Sequence, residues 1–224
     1  MTSLPFSSHY IPGFIDGDDD ALFQLVQQES MHHYLFRGQR MVRAPKNEFY
    51  YPENEDKTYK WGQQKLMYPG GKEYTGKVMP PLMVDMADLI HEQYGERVNH
   101  AIIIMYDDAR RTHAPPHQDK VPEGTSFFVL SFGVPRRFDV LAQALEQCYQ
   151  DKKRDSADNP IPKLNKDGSI KTRLTSANAV WSRKLAHKSM LVVDSQTNQN
   201  YYHAIPKQRG WVGARWSLIF RTIA

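Results

Sequence analysis

The chain of 224 residues is 40% hydrophobic and 24% charged, proportions of one sizeable globular domain rather than of a disordered or membrane-spanning chain. Its first twenty residues carry neither a basic start nor an apolar run and no later stretch is long enough to cross a bilayer, so neither a secretion signal nor membrane contact is expected. A single cysteine, Cys148, excludes an internal disulfide framework or a Cys-rich zinc site and fits an intracellular protein, cytoplasmic or nuclear, while the net charge of +4 tilts weakly toward an anionic partner.

Along the chain, residues 21–29 have the apolar spacing of a helix. Residues 41–76 mix Pro45, Pro52, Pro69, Gly70 and Gly71 with Phe49, Tyr50, Tyr51, Tyr59 and Trp61, which predicts long loops or short hairpins bearing exposed rings. Pro80 and Pro81 precede a second helix over 82–94, where Leu82, Met86, Leu89 and Ile90 recur at intervals of three and four or one. Strands are predicted over 101–106, 126–133, 189–194, 201–205 and 215–221, all rich in β-branched and aromatic residues. Between them, residues 152–188 are polar and basic with Asn159, Pro160, Pro162 and Gly168, the composition of a mobile loop within an insertion spanning about 141–188. Helices followed by strands, without regular βαβ alternation, predict an α+β domain: a largely antiparallel jelly roll with the N-terminal helices packed on it.

The sequence Pro115-Pro116-His117-Gln118-Asp119 carries the first chemistry. Two prolines favour extended backbone, which sends residues two apart to the same side, so His117 and Asp119 would point together. A second histidine from a later strand would complete a two-His, one-carboxylate set that leaves positions open on Fe(II), and His203 sits on a suitable strand. The alternative for the tripeptide is a polar turn, and for His203 a hydrogen-bonded, half-buried side chain. His100 and His113 lack a carboxylate two residues on and read as surface histidines.

In the last predicted strand, Trp216, Leu218 and Phe220 share one face and Arg215, Ser217, Ile219 and Arg221 the other. That second face is either solvated or, inside a barrel that holds a dicarboxylate, a source of two cations and a hydroxyl. Arginine suits the latter because its planar fork donates two parallel hydrogen bonds and keeps its proton.

Taken in order, Tyr106, His117-Gln118-Asp119-Lys120, the strand at 126–133, the segment from Asn200 to His203 and the Arg-x-Ser-x-x-x-Arg of the last strand resemble the AlkB-like family of Fe(II) and 2-oxoglutarate dioxygenases. The front half matches more loosely, through residues 10–14 and a Tyr59-Lys60-Trp61-Gly62 segment similar to the family's substrate lid. The resemblance implies a double-stranded β-helix core, iron on His117, Asp119 and His203, and 2-oxoglutarate meeting Arg215 at its far carboxylate. It also implies that Arg221 contacts the end nearer the iron, that Tyr106 donates its hydroxyl to the co-substrate and that Ser217 stands where the family often has asparagine. With O2, such a site yields succinate, carbon dioxide and a hydroxylated C–H bond, and a hydroxylated N-alkyl carbon collapses to aldehyde and amine.

Two departures bear on substrate. Ile104 stands where the family often has an asparagine near 2-oxoglutarate, and Val121 where repair members often place an acidic base reader, with Glu123 the nearest substitute. The function implied first is oxidative demethylation of alkylated bases in DNA or RNA, by a monomer, with Tyr59 and Trp61 near the base and Lys152, Lys153 and Arg154 on phosphates. The alternatives are a hydroxylase of a nucleotide, another small metabolite or a protein side chain, and a non-catalytic binding module, against which the intact metal and arginine positions count.

Overall fold

After β1 (His9–Ile11) the chain forms α1 (Ala21–Glu29), whose buried residues Leu22 and Val26 lie four apart on one face. This computed structural model describes residues 4–16, 20–29, 32–37, 40–51, 60–61, 64–67, 76–106, 112–143, 146–147, 149–173, 179–207 and 213–223, with the side chains at 32–37, 40–49, 60–61, 64–67, 146–147, 149, 151–152 and 172–173 excepted. Five strands follow: β2 (His32–Arg37), β3 (Arg40–Tyr51), β4 (Lys60–Trp61), β5 (Gln64–Met67) and β6 (Lys77–Val78). Next comes α2 (Pro81–Tyr94), with proline at its first position and Gly95 closing it in the left-handed conformation at φ 72°.

The second half is almost entirely strand. It contains β7 (His100–Tyr106), β8 (Ala114–His117), β9 (Phe127–Gly133), β10 (Arg136–Ala142), β11 (Glu146–Gln147), β12 (Tyr149–Arg154), β13 (Pro160–Pro162), β14 (Thr172–Arg173), β15 (Ala179–Leu185) and β16 (Ser189–Val193). The short helix α3 (Ser195–Asn200) then leads into β17 (Tyr201–Ile205), and β18 (Arg215–Arg221) ends the fold.

A ten-stranded sheet runs β1-β16-β9-β18-β7-β3-β2-β5-β4 with β6 attached to β3, and a four-stranded sheet runs β15-β10-β17-β8. Among the described pairings only β3 with β6 is parallel, so the sheets are mixed, largely antiparallel and open. Strand alternation makes three layers of them. Phe128, Leu130 and Phe132 of β9 join Leu218 and Phe220 of β18 in a cluster with Leu22, Val26, Met83 and Ile90 of the helices. The intervening Phe127 and Val129 face the smaller sheet, meeting Phe138, Val140, Trp181, Leu185 and Ile205. A fully buried ring such as Phe128 contributes ~1.5–3 kcal/mol. The jelly-roll core and the packing of both N-terminal helices on it are as the sequence predicts. Among the described residues no helix is long and apolar enough to cross a membrane.

Two expectations fail. Tyr50 and Tyr51 are not exposed: β3 continues the large sheet through Tyr50 opposite Ala101, and both rings are buried, with the Tyr50 hydroxyl donating to Glu29 at 2.9 Å. The basic stretch at 152–188 is not loop throughout, because its last part forms β15, which pairs with β10 along its length and buries Trp181 and Leu185. The polar segment between these strands carries the two small pairings β11 with β14 and β12 with β13. Tyr59 lies outside the described residues, and Trp61 falls in β4 with its side chain outside them.

Gly133 ends β9 at φ +79°, where an added Cβ would stand 2.5 Å from the Ala214 carbonyl oxygen, itself bonded to the Val134 amide at 3.0 Å. Gly133→Ala combines a left-handed backbone with a clash against main chain, so it should cost about 1–3 kcal/mol or more, read as a lowered midpoint in urea unfolding.

Candidate active site

The smaller sheet brings the candidate ligands together by register. His203 of β17 pairs with His117 of β8 on one side and with Val140 of β10 on the other. Asp119 follows β8 by two residues, and one donor atom from each of His117, Asp119 and His203 lies within 4.8 Å of the other two. The two imidazole centroids are 4.2 Å apart.

Each histidine is prepared as a donor. The Nδ1–H of His117 donates to the Pro115 carbonyl at 2.7 Å, and since a carbonyl only accepts, a proton is fixed there and Nε2 is the nitrogen that could meet a metal. That Nε2 is 4.0 Å from Oδ1 of Asp119. His203 is stacked on Phe138 at 5.5 Å and 7°. Burial pushes its pKa down to about 3, with His117 adding to the effect and Asp119 opposing it, so the ring is neutral as a metal ligand requires.

These residues open into a cavity of about 380 Å³, within the range of small-molecule sites. Its lining is apolar at Ile102, Ile104, Val129 and Ile219, and the register of β7 with β18 sets Tyr106 at one end, opposite Arg215, and Arg221 at the other, opposite His100, with Ser217 between them. Arg221 donates from Nη1 to Asp119 at 3.4 Å and from Nε to His100 Nδ1 at 3.2 Å. His100 is therefore not the surface histidine the sequence suggests. It is wholly buried, and desolvation with Arg221 beside it lowers its pKa to about 3, which keeps Nδ1 available as an acceptor. His113 is exposed at the cavity mouth.

Arg215 is also buried. Its Nη2 donates to Ser131 Oγ at 2.8 Å, whereas among the described residues Nε and Nη1 have no hydrogen-bond partner, and neither does Ser217 Oγ. Its guanidinium lies 5.5 Å from the Tyr106 ring centroid, and burial lowers its pKa to about 10, with Tyr106 opposing. Tyr106, raised to about 12 mainly by burial, remains a phenol able to donate. Buried donors without acceptors cost roughly 1–3 kcal/mol each, and a carboxylate from a ligand would satisfy them. The donor set thus fits both a divalent metal and a dicarboxylate.

Sequence reasoning missed Arg136, which ties Thr112 and Pro206 together through Nη2 at 3.2 and 3.3 Å and approaches the Tyr106 ring centroid to 5.8 Å. The signal was its phase with Phe138 and Val140, which places it on the inward face. It also missed Asn198, which bonds the backbone of Asp119. Val121, half-buried, packs against the cluster between the sheets, and Glu123 is exposed in the following turn.

Two His and one carboxylate between the sheets of a jelly roll are the arrangement of a non-haem iron oxygenase. The chain belongs to the 2OG-Fe(II) oxygenase superfamily, whose family model matches residues 8–221, and it is a dioxygenase that uses Fe(II), 2-oxoglutarate and O2. Its fold is AlkB-like: the solved structure of OsALKBH1 superposes with a TM-score of 0.52 at 11% identity, covering 98% of this chain and 99% of that one. An oxidoreductase of the 2OG-Fe(II) oxygenase family from Burkholderia pseudomallei is similar at a TM-score of 0.46 and 11% identity, over 96% of this chain and 84% of that one. No curated protein matches the sequence.

Proposed function

We propose that this dioxygenase demethylates alkylated bases in DNA or RNA, with Fe(II) held by His117, Asp119 and His203. The reading rests on one observation above others: a basic hairpin segment leaves β10 and β15, and β10 is the strand paired with the one that carries His203. Val140 pairs with His203 and with Trp181 of β15, and β10 and β15 run on from there into the segment between them. That segment exposes Lys153, Arg154, Lys166 and Lys171, cations of the kind that neutralise phosphates. The single cysteine supports a reducing, intracellular setting.

The chain's own groups divide the work as follows. Arg215, Ser217 and the Tyr106 hydroxyl would bind and orient the far carboxylate of 2-oxoglutarate. Arg221, 3.4 Å from the Asp119 carboxylate, would lie near the co-substrate end closest to the metal. The apolar floor excludes water, which strengthens each of these charge contacts. Bound iron supplies oxygen activation coupled to the conversion of 2-oxoglutarate to succinate and carbon dioxide. Tyr59 and Trp61, by their likeness to a substrate lid, would stack on the extruded base.

A second reading keeps this chemistry for a nucleotide, another small metabolite or a protein side chain. Val121 favours it, because this half-buried apolar residue packs where an acidic base reader is expected and Lys120 lines the cavity beside it.

Asp119→Ala should abolish succinate formation, and parental turnover of 2-oxoglutarate by that variant would refute the metal assignment. Arg215→Leu should raise the 2-oxoglutarate concentration for half-maximal rate, since losing one partner of a desolvated charge pair costs ~2–5 kcal/mol, while metal binding persists. An unchanged titration would remove the arginine from the site.

Substrate class is tested with methylated oligonucleotides read by mass spectrometry. Alanine at Tyr59 or Trp61 should slow their turnover more than it slows uncoupled 2-oxoglutarate decay. Charge reversal at Lys152, Lys153 and Arg154 should weaken binding to all sequences alike, and affinity should fall steeply with salt. A protein that consumes 2-oxoglutarate yet shows no salt-dependent affinity for single- or double-stranded nucleic acid would shift the assignment to the second reading.

A further inference from the structure

Asp119 sits in irregular backbone just beyond β8, where no strand partner supplies its main-chain hydrogen bonds. Among the described residues its carboxylate has only distant charged neighbours, Arg221 at 3.4 Å and His117 Nε2 at 4.0 Å. Neither contact is close enough to fix a side chain within a few tenths of an ångström. Its backbone, by contrast, is held at both ends by one side chain. The Asp119 amide donates to Asn198 Oδ1 at 3.0 Å, and Asn198 Nδ2 donates to the Asp119 carbonyl at 2.8 Å. The amide is thus oriented by its partners, since the flipped rotamer would set donor against donor and oxygen against oxygen.

We propose that Asn198 is a positioning residue for Asp119, a side-chain substitute for the missing strand that sets the carboxylate against His203. The inference rests on the assignment of Asp119 as a metal ligand.

The clamp is rigid because α3 is. Asp194 caps the helix by accepting from the Thr197 amide at 2.8 Å. Ser8, beside β1, donates to Asp194 Oδ2 at 2.8 Å and accepts from the Asp194 amide at 2.9 Å. Thr197 Oγ1 donates to the Pro5 carbonyl at 2.9 Å. Ser8, Thr197 and Asn198 are all buried, so these bonds work at low dielectric and compete little with water. Gln118 adds a bond in the opposite direction, its Nε2 donating to the Gln199 carbonyl at 2.8 Å.

The helix runs straight into β17, which carries His203 five residues after Asn198. One short helix therefore sets two of the three donors relative to each other: His203 through the chain, Asp119 through the amide. Groups that orient metal ligands without touching the metal typically govern about 10–100-fold in metal affinity.

The test uses Co(II) as an air-stable probe of the metal-free protein, with affinity from calorimetry and geometry from the visible absorption of the bound ion. Asn198→Leu, close in shape but unable to form either bond, should bind Co(II) about 10–100-fold more weakly and shift the absorption band. A purely structural role would lower the melting temperature and leave both readouts of the folded fraction as in the parent; that result overturns the proposal. Should Asn198→Leu fail to fold, Asn198→Ser leaves room for water on the exposed backbone groups. It should bind Co(II) at least several-fold more weakly, and parental affinity with a parental spectrum overturns the clamp. Asp119→Ala separates the two levels of the argument. Loss of Co(II) binding there with a parental Asn198→Leu removes only the clamp, whereas parental binding by Asp119→Ala removes the metal assignment on which it rests.

Discussion

The pairing of β17 with β8 is the constraint from which the site follows. Antiparallel register sets His203 directly opposite His117, and Asp119, two residues past it and just beyond the strand, brings a carboxylate oxygen within 4.8 Å of a donor atom of each. A slip of one residue would turn His203 away from the cluster and Tyr202 or Ala204 toward it, so site and sheet are specified together. The neighbouring strands enforce the register from behind. β10 pairs with β17 through Asp139 to Ala142 and with β15 through most of its length, and the aromatic packing of Phe138 on His203 holds only in that alignment.

The electrostatic design of the site runs in two directions. At the metal end, burial keeps His203 neutral and leaves a single carboxylate, Asp119, with Arg221 beside it. At the far end, buried Arg215 and Arg136 flank one phenol, and Arg136 lowers the pKa of Arg215 as a like charge should. Holding two cations this close in a dry interior is unfavourable for the folded protein by itself. A ligand carboxylate placed between them would offset that repulsion and so favour the folded state. Between the two ends Ile102, Ile104 and Ile219 line the cavity with apolar surface.

Much of this arrangement is legible in the sequence because it is periodic. Alternation in 215–221 gives both faces of β18, the spacing within 82–94 gives α2, and a proline pair before His117 gives the extended entry to β8. What periodicity misses are the residues whose environment comes from distant parts of the chain. His100 looks like a surface histidine until Arg221, far along the chain, is seen to donate to it. Arg137 and Asp139 break the apolar signal of β10, although Asp139 is buried and bonded to Ser182 Oγ at 2.6 Å. α3 is only six residues long, too short to show a helical pattern, and its capping Asp194 is the one local clue. The burial of Tyr50 and Tyr51 likewise comes from distant partners, Tyr50 in the cluster with Leu22, Val26 and Met83 and Tyr51 against the His100 ring.

The hairpin segment between β10 and β15 has a consequence for how such proteins diversify. Its two ends are anchored by a ladder that runs from Arg136 opposite Leu185 to Leu141 opposite Ala179, with one bulge between Val140 and Leu141, so the loop closes on a frame that already exists without it. Doubling the length of a flexible loop costs only ~0.6 kcal/mol in closure entropy. The segment can therefore lengthen, shrink or be exchanged for another with little effect on the register that aligns His203 and His117. The pairing that brings the two histidines together is thereby insulated from whatever length or composition the appendage takes.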